Sequence, residues 1–218
     1  SATATDYFKS KVVLVKVNAE VDTTLAREMA ISGYPTLVLL DKKGEEIDRV
    51  IGYMETDPFL KQLDDYQKGI GTLADLLDQS KKDTSRELSF KIADKYKYRG
   101  KPDDATGWYQ KVIAVNPTDS LAGESRMSLA DMLRRAKKWD EALAAFAAVE
   151  KDFKGTPYSF SADAGIWQAI TLGRKGDTTA AIAAYEVFLK NYPNSEDTSY
   201  ARKQIAKLKN PPPPEEKK

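Results

Sequence analysis

The chain has 218 residues with 34 Lys/Arg, 33 Asp/Glu, no His and no Cys, and a formal net charge of +1. These absences exclude disulfides, a thiolate nucleophile, an imidazole base and the serine–histidine and cysteine–histidine hydrolases, and they remove the usual zinc and copper ligands. A near-neutral balance argues against a general nucleic-acid binder, and no stretch approaches the roughly 18 consecutive apolar residues of a membrane helix; neither nucleic acid, membrane insertion nor a cofactor or metal is expected.

Only carboxylate, lysine or tyrosine chemistry stays open, and the acidic residues show no pairing beyond that of ordinary helix surfaces. Charge is unevenly spread. Residues 1–78 hold 9 Lys/Arg and 14 Asp/Glu, and residues 79–218 hold 25 and 19, giving −5 and +6. The shift near Asp78-Gln79-Ser80 is one mark of a domain boundary.

"ATDYFKS" near the start reads as the end of a helix anchored by Tyr7 and Phe8. "KVVLVKVN", Lys11–Asn18, is a valine-rich run that predicts a strand buried on both faces. "TTLAREMAI" predicts a short helix with Asp22 or Thr23 as N-cap. Gly33-Tyr34-Pro35 leads into "TLVLL", a second strand; "DKKG" predicts a tight turn with Gly44 at positive φ, and "EEIDRVIGY" an antiparallel third strand. "TDPFLKQLDDY" predicts a helix with Thr56 as N-cap and Phe59, Leu60, Leu63 and Tyr66 on one face.

The order β-α-β-β-α, with "GYPT" before a strand, a D-x-x-G turn and a Gly-Tyr after the next strand, resembles the C-terminal half of thioredoxin-like and protein-disulfide-isomerase-like domains. The resemblance implies a cis peptide bond before Pro35. It also implies that Gly33, Tyr34, Pro35 and Thr36 present a backbone edge to an extended substrate or partner segment; the alternative is that Pro35 only shapes a turn. The family places its C-x-x-C ahead of these elements, and there is no room for it before the first strand here. The domain is therefore expected to be incomplete, truncated or completed by another chain, with an exposed side on the Val12–Val17 strand.

After a connecting segment at 68–85 the pattern changes to amphipathic helix pairs. Ala105, Ala142 and Ala181 fall in register at spacings of 37 and 39 residues. Each is preceded twelve residues earlier by Ala93, Ala130 and Ala169, and followed four later by Tyr109, Phe146 and Tyr185. "RGKPDDA", "AKKWDEA" and "RKGDTTA" supply the turns, and a last helix is predicted over about 197–209. This spacing resembles the tetratricopeptide repeat, in which small residues let paired helices approach and an aromatic fills the space between units. "FLKNYPNSEDTSYARKQIAKL" resembles the closing segment of periplasmic bacterial repeat proteins. The fold class expected is an incomplete α/β thioredoxin-like portion over 1–67 and an all-α array of three repeats over 86–210, followed by a disordered proline-rich tail over 211–218.

By the family pattern, the groove would be lined by Glu87, Phe90, Asp94, Glu124, Met127, Asp131, Asp163 and Ile166. That set is acidic and apolar, so a basic or apolar protein segment is the partner expected. The leading functional expectation is a protein-interaction scaffold. Its parent would be a thiol–disulfide oxidoreductase with an upstream C-x-x-C, and this chain redox-inactive. The alternative is a non-catalytic adaptor whose thioredoxin-like portion caps the array; a carboxylate enzyme is the weakest reading. The resemblance favours the bacterial periplasm or secretion over the cytoplasm.

Overall fold

The computed structural model describes residues 2–210, with side chains from Thr5 onward. The proline-rich tail expected at 211–218 lies outside the described residues. The chain divides into two compact units, residues 1–108 and 109–218.

In the first unit, α1 (Ala2–Lys11) and α2 (Thr23–Glu28) precede a hairpin of β1 (Thr36–Leu40) and β2 (Glu46–Ile51), then α3 (Thr56–Gln67) and α4 (Leu73–Gln79). Asp22, rather than Thr23, caps α2 by accepting from Leu25 N at 3.0 Å. The hairpin turns at Asp41, whose Oδ1 accepts from Lys43 N and Glu45 N, and Gly44 takes the expected positive φ of 85°. Glu55, not Thr56, occupies the N-cap of α3, and no side chain bonds there. Leu39, Val50, Leu63 and Tyr66 form the small core, with Tyr7, Phe8, Val12 and Phe59 packed against it.

One expectation fails. Residues 12–17 form no strand and are not buried: Val13 is 93% and Val15 73% exposed. A valine run becomes a central strand only when chains pair on both sides of it. Among the described residues the sheet has two strands, β1 and β2, and neither pairs with this segment.

α4 is part of a packed layer. Thr72 caps it, and Leu76 joins Leu88 and Ile92 of α5 (Arg86–Tyr98) in one core cluster. α5 is also joined to the hairpin through charge. Asp48 of β2 is fully buried and accepts from Arg49 N, Leu73 N, Lys95 Nζ and Arg99 Nη2 at 2.7, 2.8, 2.8 and 3.0 Å. The Arg49 guanidinium donates to the carbonyls of Met29 and Tyr98. Gly100 has φ +66°, and a Cβ there would come within 2.8 Å of Ala30 Cβ, so the turn after α5 sits directly on the end of α2.

α6 (Pro102–Val115) follows α5. In the second unit α7 (Ser120–Arg135), α8 (Trp139–Asp152), α9 (Phe160–Lys175), α10 (Thr178–Asn191) and α11 (Thr198–Lys209) pack as successive neighbours, and α7 also touches α9. Asp119 and Asp177 cap α7 and α10, and Gly176 ends α9 in the left-handed conformation. The six register alanines and the aromatics Tyr109, Phe146 and Tyr185 are all buried. Gly123 lies under Phe160: a Cβ there would come within 2.2 Å of the ring. Gly165, where the repeat usually has a large residue, is covered by Tyr192, whose hydroxyl donates to Glu150 at 2.8 Å.

Candidate functional site

The Tyr34–Pro35 peptide bond is cis. Thr36 Oγ1 donates to Gly33 O at 2.7 Å, and Gly52 N donates to Pro35 O at 2.9 Å, so both ends of the Gly33–Thr36 loop are held. The Tyr34 side chain is 68% exposed and, with Lys16–Glu20, lines an open cleft of about 470 Å³. The loop therefore presents an aromatic ring and backbone to solvent. It brings no thiol, because the chain has no Cys.

The second unit holds the other candidate surface. On α7, Glu124 is exposed, Met127 packs against the cluster of Ala130, Phe146, Val149 and Phe153, and Asp131 pairs with Arg134 and Arg135. Burial disfavours the Asp131 carboxylate, but hydrogen bonds from Arg135 and Arg134 outweigh it and hold its carboxyl below the usual range. On α9, Asp163 accepts from Ser159 Oγ at 2.7 Å. Burial pushes the Asp163 carboxyl up against that bond, with the Asp197 charge adding to the shift.

Ile166 does not belong to this surface. It is 3% exposed, in the cluster with Ala169, Tyr185 and Phe188. One residue along α9, Trp167 is half-buried, with the Arg134 guanidinium 4.8 Å from its ring centre and Phe146 stacked at 6.4 Å. Ile166 and Trp167, three and four residues after Asp163, are both near its face by spacing; packing separates them, Ile166 being buried with Tyr185 and Phe188 of α10 and Trp167 remaining half-buried beside Phe146. Trp167 and Arg134 are the residues that sequence reasoning missed.

Glu87, Phe90 and Asp94 lie on α5 in the first unit. Glu87 is exposed, Phe90 half-buried, and Asp94 pairs with Lys97 at 2.9 Å. Among the described residues no group of three or more Asp or Glu side chains is placed to hold a metal ion, and no helix is long and apolar enough to cross a membrane.

Residues 3–67 match a family model described as a thioredoxin-like domain, and residues 90–159 and 163–195 match two models of the tetratricopeptide repeat. The chain carries a thioredoxin-like domain followed by tetratricopeptide repeats. No match to a curated protein was found. The two kinds of domain together support a protein-interaction role.

Proposed function

We propose that this chain is an adaptor whose tetratricopeptide repeats hold a basic or apolar segment of a partner protein on the α7–α9 face, with the thioredoxin-like portion as a structural cap on α5. The observation that carries the reading is the exposed Glu124 and half-buried Asp163, both without a basic ion-pair partner among the described residues, flanking the apolar surface of Met127 and Trp167. Asp94 and Asp131 contribute less charge to a ligand, because lysine and arginine already neutralise them. The buried Asp48 network supports the cap: it ties β2 to α5 by interactions that require both.

The experiment is titration calorimetry of the chain with a short peptide alternating lysine and leucine, and with its glutamate–leucine counterpart. The lysine peptide should bind, and Glu124→Lys with Asp163→Lys should weaken it tenfold or more. Equal affinity of both peptides, or no effect of the double reversal, removes the acidic-face reading.

The match of residues 3–67 to a thioredoxin-like domain favours a second reading, for a parent protein carrying a C-x-x-C ahead of these residues. There the cis Tyr34–Pro35 loop would hold a substrate strand beside the thiol, and thiol–disulfide exchange would belong to the parent.

A further inference from the structure

Arg134 of α7 and Trp167 of α9 meet on the α7–α9 face, and both are held in place. Only 8% of the Arg134 side chain is exposed. Its Nε and Nη2 both donate to Asp131 Oδ1. Its guanidinium lies 4.8 Å from the centre of the Trp167 ring, and Phe146 stacks on that ring within 13° of parallel. The indole is therefore fixed by two neighbours. Each side chain also carries a donor that the fold leaves over. Arg134 Nη1 and the Trp167 indole N–H make no hydrogen bond among the described residues. Neither nitrogen is sealed from water: among the described residues the one buried side-chain nitrogen or oxygen atom without a partner is Gln62 Oε1, in the first unit.

We infer that Arg134 Nη1 and the Trp167 indole N–H donate to main-chain carbonyls of a partner segment, and so require the α7–α9 face to take that segment in an extended conformation. The inference rests on the adaptor reading of this face. A donor in contact with water becomes a recognition element when a partner expels that water, because it must then find an acceptor or lose free energy.

Guanidinium and indole groups donate and never accept, so the partner must supply the acceptor. A carboxylate and a neutral carbonyl are the two candidates, and charge chooses between them. Arg134 and Arg135 already share the Asp131 carboxylate, and Glu124 and Asp163 flank the same surface without a basic ion-pair partner among the described residues. A second carboxylate is repelled there, whereas a carbonyl is not. Conformation follows from the carbonyl. A helix bonds its carbonyls to its own N–H groups, and an extended segment leaves them free to a neighbour. Lysines of the same segment then face Glu124 and Asp163, and its apolar residues cover Met127.

The probe is the alternating lysine–leucine peptide as its C-terminal amide, compared by calorimetry on the full chain with a lysine–leucine peptide held helical by a hydrocarbon staple. The stapled helix should bind at least tenfold more weakly. Trp167→Phe keeps a ring against Phe146 and Arg134 and removes the N–H; it should weaken the extended peptide about fivefold or more, with the melting temperature near that of the parent. In the unmutated chain, exchange of the Trp167 indole proton, read by NMR, should slow at least tenfold when the peptide saturates the face, while the indole protons of Trp108 and Trp139 keep their rates. Equal binding of the stapled helix, an unaltered Trp167 indole exchange, or a folded Trp167→Phe chain with parental affinity overturns the inference. So does a free C-terminal carboxylate that binds at least tenfold more tightly than the amide, which assigns the donors to a carboxylate. Reversal of Glu124 and Asp163 tests the adaptor reading itself. An affinity that this reversal lowers and Trp167→Phe does not removes this inference alone, and no binding of the lysine–leucine peptide removes both.

Discussion

Asp48 shows how one residue links two architectures. Its carboxylate is removed from water and surrounded by four donors, two of them cationic. A buried charge is tolerated only when so partnered, and removing one member strands the others. Asp48→Ala should therefore destabilise the chain by about 3–5 kcal/mol in urea unfolding; a loss below about 1 kcal/mol would show that the network contributes little. Asp131 makes a pH-dependent contribution. Its carboxyl is held below the usual range, so its stabilisation is present above the ordinary carboxylate pKa of about 4 and is lost as pH falls through the folded value. Asp131→Asn should flatten the acid limb of the melting-temperature profile below about pH 4 and leave its shape near neutrality unchanged. An unaltered acid limb would contradict this assignment.

At the scale of elements, the repeats stand on a contrast of small and large residues. Ala130, Ala142 and Ala164 are fully buried beside Phe146 and Phe153, so helices approach where alanine permits and separate where the rings sit. Phe146→Ala leaves a ring-sized cavity between α7, α8 and α9 and should cost about 3–5 kcal/mol. Gly123→Ala errs the other way. Its methyl would meet the Phe160 ring, which has to shift, and the cost should be about 1–3 kcal/mol. Thermal denaturation of the two variants tests both, and a Gly123→Ala protein as stable as its parent would mean that Phe160 moves freely. The contrast between the valine run and the repeats belongs at this scale too. A helix closes its hydrogen bonds within itself, so an amphipathic period is enough to announce it. A strand needs a neighbour, and residues 12–17 have the composition of a strand without one.

For the whole molecule, the redox question is decided by composition. Thiol–disulfide exchange requires a thiolate, and the chain has none to offer. The turbidity assay of insulin reduction with dithiothreitol should therefore run at the background rate; acceleration would require a different chemistry altogether. The sequence by itself determined the helical hairpins, their register, the turns at Asp41–Gly44 and Gly176, and the cis-proline loop recognised through its family, because local periodicity and turn chemistry act over a few residues. The tertiary structure alone decided which residues reach the surface. It moved Ile166 into the core and set Trp167 beside Arg134, since packing against different neighbouring helices separates residues that a family pattern groups together. It also buried Asp48 against α4 and α5, and left residues 12–17 outside the sheet, because pairing and burial depend on partners distant in the chain.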